Sequence, residues 1–185
     1  AAIREVDPST PILIEAAQGA NPSGFPTLRP IAGNNLVYGV HLYYPHAFTH
    51  QRQNGAAEFG SPETSPFKFY PGWMPQINWR DEGWLSEPYE WWDRWEIAAA
   101  SLPVFEFLIR YRRPLDVGEF GVTGYVRDAA GPCATWWTGD AMDLARRWGA
   151  SWDLYGYHGG FGWYEGVPDL VTSYWMFADG PFREQ

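Results

Sequence analysis

The chain has a single cysteine among 185 residues, Cys133, so it contains no internal disulfide framework and no cysteine-based metal site. It is also short of positive charge. Lys and Arg number 13 against 22 Asp and Glu, a formal net charge of −9 with a pI near 4.8, and no basic run occurs. That balance argues against nucleic acid and against an anionic membrane surface as partners. It suits an uncharged substrate. No apolar stretch approaches the roughly 18 residues of a spanning helix. The opening residues, Ala1-Ala2-Ile3-Arg4-Glu5, lack the charged-then-apolar pattern of a secretory leader. His46 and His50 lie one helical turn apart with no third ligand at sensible spacing, so they read as surface loop histidines. Metal and organic cofactor are both expected to be absent.

Leu, Ile and Val are sparse as well, and the aromatics are in surplus: 12 Trp, 11 Tyr and 11 Phe. Tryptophan and tyrosine offer flat apolar faces with a polar edge, and sugar rings offer C–H faces of matching flatness rimmed by hydroxyls. Surplus tryptophan in an acidic chain therefore reads as carbohydrate contact, or else as packing beneath long loops. Trp73, Trp79 and Trp84 fall in the longest such loop. They either line glycan subsites or form that loop's own small core.

Residues 1–7 look like the tail of a helix stopped by Asp7-Pro8, because the residue before proline avoids helical geometry. Residues 10–16 read as a short buried strand, and 17–35 as a Gly-, Pro- and Asn-rich loop. The near-continuous apolar character of 35–44 fits a strand in a parallel sheet covered on both faces. Residues 45–86 read as one long loop, a feature that tends to be functional. Residues 87–113 read as a helix interrupted near Pro103, its late Arg110, Arg112 and Arg113 matching the helix dipole. A third strand spans 114–121, a second helix 139–148 and a fourth strand 149–158. The tail, 159–185, has a helical turn or two near 168–177. Parallel-type strands separated by helices or long loops indicate βα units. Four such units make a single α/β domain over 1–185, half of a (β/α)8 barrel. A full barrel typically takes about 250 residues.

Two segments carry chemistry. Val117-Gly118-Glu119-Phe120-Gly121 puts a carboxylate at the end of an apolar strand. Val37 to His46 is a second strand with His41 and Tyr43 at i and i+2, and so on one face. Taken singly, Glu119 fits a strand end or a helix cap, and His41 fits a satisfied core histidine. Taken together the two segments resemble the C-terminal half of glycoside hydrolase family 5, the cellulase-type (β/α)8 barrels. The resemblance spans essentially the whole chain, with its strands in the places of barrel strands five to eight.

This resemblance implies a retaining endo-β-1,4-glucanase site at the C-terminal ends of the strands. Glu119 would be the nucleophile, Tyr43 would hold it, and His41 would bind a sugar hydroxyl. Trp152 would be the aromatic platform under the sugar, with Tyr155, three residues on, as the competing candidate. The implied substrate is a β-glucan or related polysaccharide, and the implied location is extracellular.

One departure from the family is large. Its general acid/base sits in an Asn-Glu pair at the end of the fourth strand, and no Asn-Glu pair occurs in this sequence. The chain alone is therefore expected to be a weak or inactive glycosidase. A half-barrel is expected to have an apolar inner face and open edges that invite pairing, so a second copy or a separate N-terminal half is the expected partner. Three readings stay open: a glycanase lacking its acid/base half, a catalytically silent carbohydrate-binding half-barrel, and a homodimeric barrel of altered activity.

Overall fold

The computed structural model describes residues 2–51, 69–76, 86–124, 126 and 131–155. From the N-terminus these form α1 (Ala2–Val6), β1 (Ile12–Glu15), a 3₁₀ helix (Pro22–Thr27), β2 (Leu36–Leu42) and α2 (His46–Thr49). There follow β3 (Gly72–Gln76), β4 (Ser86–Trp92), α3 (Arg94–Ala100), α4 (Leu102–Tyr111), β5 (Leu115–Phe120), α5 (Pro132–Trp148) and β6 (Ser151–Leu154). Strands β1, β2, β5 and β6 form one all-parallel sheet in that order. The four expected strands are therefore all present, each somewhat shorter than read from the sequence. The expected turns in the tail lie outside the described residues.

Alternation decides which face of the sheet is covered. In β2, Tyr38, Val40 and Leu42 are buried, and Leu115, Val117 and Phe120 of β5 share that face and that burial. Helices cover it. Phe107 of α4 packs against Tyr38, ring centroids 5.0 Å apart, and meets Phe25 of the 3₁₀ helix edge-on at 5.4 Å. From α5 come Ala134, Trp137, Ala141 and Ala145, spaced three or four residues apart as one helical face requires. Gly149 closes α5 in the left-handed region at φ 67°, with its N–H and that of Ala150 turned back to the Arg146 and Ala145 carbonyls. Glycine takes that conformation without steric cost.

Three sequence readings are corrected. Residues 45–86 are not a structureless loop: they hold α2 and β3, and β4 begins at Ser86. The helix expected over 87–113 begins only at Arg94, where Asp93 caps it by accepting from the Trp95 and Glu96 N–H groups. Its break falls at Ser101, between α3 and α4. Finally, α5 begins at Pro132 rather than Gly139. Proline at its first turn suits a helix start.

Candidate active site

Position comes first from a bulge. Along β2 and β5, Val40 pairs with Val117 and the next pair is His41 with Glu119, so Gly118 is the extra residue. In a regular strand Glu119, two residues beyond Val117, would share the helix-covered face with it. The bulge re-aims the side chain to the face that carries His41 and Tyr43, at the C-terminal end of the sheet.

The Tyr43 hydroxyl donates to Glu119 Oε2 at 3.0 Å. His41 Nδ1 lies 3.5 Å from the same oxygen. Burial pushes the Tyr43 phenol above its ordinary range, and the Glu119 charge, its acceptance of the hydrogen bond and Tyr155 push it further. The proton that Tyr43 donates is therefore held more tightly than an ordinary tyrosine's. On the far side of His41, Nε2 is 3.3 Å from Glu15 Oε1. A row of four side chains results: Glu15, His41, Glu119 and Tyr43. The sequence reading brought three of them together and missed Glu15, which only the register of β1 against β2 places here.

Behind the row sits an aromatic and imidazole cluster. The Tyr43 and His50 rings meet edge-on at 4.9 Å, Tyr44 and His46 at 5.3 Å, and His46 and His50 lie 5.0 Å apart. Thr49 Oγ1 lies 2.8 Å from His50 Nδ1 and donates to the Tyr43 carbonyl at 2.7 Å. These histidines were expected on a loop surface. They are buried instead, because α2 folds them back under Tyr43 and Tyr44. Burial lowers His46 to about 4, and burial together with His46 lowers His50 further. Tyr44 stacks on Trp92 at 6.0 Å and accepts at its carbonyl from Trp137 Nε1 at 2.8 Å.

The remaining expected residues are spread more widely. Trp152 is the register partner of Val117, and its ring meets Phe120 edge-on at 5.7 Å. It thus lies with the helix-side residues rather than beside Glu119. Tyr155 follows β6, its N–H bonded to the Phe120 carbonyl, and adds to the upward push on the Tyr43 phenol. Trp73 lies on β3 with 63% of its surface exposed, paired across the ribbon with Trp91 at 6.0 Å. Trp79 and Trp84 lie outside the described residues. Nor is the inner face apolar as expected: beyond Leu13 and Val37 it carries Glu15, His41, Asp116 and Ser151, the last bonded to Asp116 Oδ1. Among the described residues no group of three or more His, Cys, Asp or Glu could hold a metal ion. No helix among them is long and apolar enough to cross a membrane.

No protein-family model and no curated protein matches the sequence. Solved structures match in fold. An endoglucanase superposes with a TM-score of 0.70 at 21% identity, over 93% of this chain and 50% of that one. A hyperthermophilic endo-β-1,4-glucanase, solved with substrate, gives 0.65 at 23% identity over 93% and 49%. Thermotoga maritima Cel5A, solved with cellobiose, gives 0.64 at 20% identity over 93% and 50%. The chain spans about half the length of each of these proteins. What it shares with them is the fold, a parallel four-stranded sheet with its helices, compatible with half of an α/β barrel.

Proposed function

We propose that this chain is a glycoside-hydrolase-like half-barrel acting on a neutral β-linked glucan, with Glu119 as the nucleophile of a retaining site. The observation that carries the reading is the Tyr43 hydroxyl held 3.0 Å from Glu119 Oε2, with His41 against the same oxygen, at the C-terminal ends of β2 and β5. A nucleophile of this kind must be ionised. The Tyr43 phenol, whose proton is held more tightly through burial, donates to Oε2 and so orients the carboxylate, leaving the other oxygen to attack the anomeric carbon. In this reading His41, held between Glu15 and Glu119, lies beside the hydroxyl of the bound sugar, and Tyr155 rather than Trp152 serves as the aromatic floor. Support for a glucan comes from the solved neighbours, one an endo-β-1,4-glucanase with its substrate and another holding cellobiose.

The retaining mechanism also needs a proton donor about 5 Å from the nucleophile. With no Asn-Glu pair in the sequence, hydrolysis requires a carboxylate brought by other strands. The same lack favours a second reading, a site that binds glycan without cleaving it. Glu119→Gln tests both: it keeps shape and removes charge. In a preparation that releases reducing ends from cello-oligosaccharides, turnover should fall by orders of magnitude while oligosaccharide-induced changes in tryptophan fluorescence persist. Near-normal turnover would remove Glu119 from its role. No fluorescence response to cello-, manno- or xylo-oligosaccharides would end both readings.

A further inference from the structure

The end of β1 holds a carboxylate whose placement depends on a missing side chain. Glu15 is the register partner of Gly39 in β2. A Cβ on Gly39 would lie 2.9 Å from Glu15 Cγ and 3.4 Å from its Oε1. With glycine there, Glu15 leans across β2 and brings Oε1 to 3.3 Å from His41 Nε2, two residues further along the same face. The other ring nitrogen, Nδ1, faces Glu119 at 3.5 Å. Asp116 of β5 accepts from Ser151 at Oδ1, and its Oδ2 borders the space over Gly118, where a Cβ would lie 3.4 Å from Asp116 Oδ2 and 4.0 Å from His41 Nε2.

One imidazole therefore stands between two carboxylates, and a neutral ring has a single N–H to donate. Which nitrogen carries it is set by the stronger partner of the pair. The contact to Glu15 is the shorter of the two and has hydrogen-bond geometry.

We infer that Glu15 is a positioning residue that fixes neutral His41 in the tautomer protonated on Nε2, leaving Nδ1 without a proton beside Glu119. The inference deepens the reading of Glu119 as nucleophile and rests on it for its purpose. Each donor to a carboxylate stabilises its charge and lowers its readiness to attack carbon. With the ring proton drawn toward Glu15, Tyr43 orients the nucleophile and neutral His41 adds no second donor to blunt it. Without Glu15, the proton has one carboxylate left to face and moves to Nδ1.

Long-range 15N–1H correlation spectra of the full chain read this directly, recorded above the pH at which histidine rings lose their charge. The His41 signals are identified among the four histidines by their loss in His41→Gln. The expected wild-type pattern is Nε2–H. Glu15→Leu, which fills the space without an acceptor, should shift the ring to Nδ1–H. Glu15→Gln, whose amide oxygen still accepts, should keep the wild-type pattern. A wild-type ring protonated on Nδ1 would overturn the inference, as would an unchanged tautomer in Glu15→Leu. Should Glu15→Leu fail to fold, the wild-type spectrum still decides. The readout involves no glycan, so the failure of the glycanase reading and the failure of this one are separate results.

Discussion

Two imidazoles beneath the site show how burial turns a residue's chemistry into a pH limit on the molecule. His46 is lowered by burial to about 4 from an ordinary 6.5, and His50 is lowered by burial and by His46. Both are neutral in the folded protein near neutral pH. As pH falls below 6.5 the unfolded chain takes up protons that the folded chain refuses, so folding stability falls with acidification. The loss levels off only once pH passes below the folded value. At about 1.4 kcal/mol per tenfold change in proton affinity, His46 alone removes roughly 3 kcal/mol between those limits. Urea unfolding at pH 7 and pH 4.5 should show that loss, and His50→Phe should reduce it; equal midpoints for the wild type at both pH values would contradict the burial argument. Their sequence setting, after a strand and among prolines, says surface, because nothing local reports that α2 folds back under Tyr43. Glu119, His41 and Tyr43 were legible for the opposite reason. Strand parity on β2 and the strand end of β5 are local properties, but the bulge at Gly118 that turns Glu119 to the face of His41 and Tyr43 was not read from the sequence. Glu15 was not, since its role requires the β1–β2 register and the lack of a side chain at Gly39.

At the scale of elements, the sheet was readable because β2 is a near-continuous apolar run of the parallel type and the other strands are short segments set off by helices or loops, and all four expected strands are present. The ribbon of β3 and β4 was not. Its sequence contains Pro75 and Pro88, and proline within a run reads as loop in a sequence. Helix α5 was read short because Thr135 to Gly139 holds poor helix formers, and burial of Trp137, Thr138 and Ala134 outweighs that preference. Gly139 then becomes a measurable cost. It lies inside α5, and a Cβ there would meet nothing within 4 Å. Gly139→Ala should therefore stabilise the protein by about 0.5–1 kcal/mol, the usual penalty of an interior helical glycine. Thermal unfolding of the variant would show a higher midpoint; a lower one would mean that α5 does not continue through this position.

For the whole molecule, the consequence of a four-stranded parallel sheet is its two edges. Among the described residues β1 pairs only with β2 and β6 only with β5, so each presents a row of backbone groups to a further strand. The face that carries Glu119 is open as well: Leu13 is 47% exposed on it, and so are much of the Glu15 and Glu119 side chains. Two copies related by a two-fold axis along the barrel would set β6 of each beside β1 of the other and close an eight-stranded ring, cyclic two-fold pairs being the commonest form of oligomer. Light scattering of the chain should then give twice its 21.1 kDa, and Leu13→Asp, placing charge inside the ring, should shift the population toward monomer. In such a ring the two Glu119 side chains stand four strands apart, on opposite sides of the barrel. Their separation would exceed the roughly 5 Å of retaining sites and move toward the 6.5–9.5 Å or so of inverting ones. Two identical carboxylates also lack the different environments that make one an acid and the other a base. The dimer should bind oligosaccharide while hydrolysing it feebly, and adding strands that carry a second carboxylate in trans should raise turnover. A chain that stays monomeric at every concentration, or that dimerises with Leu13→Asp unaffected, would rule out closure through these edges.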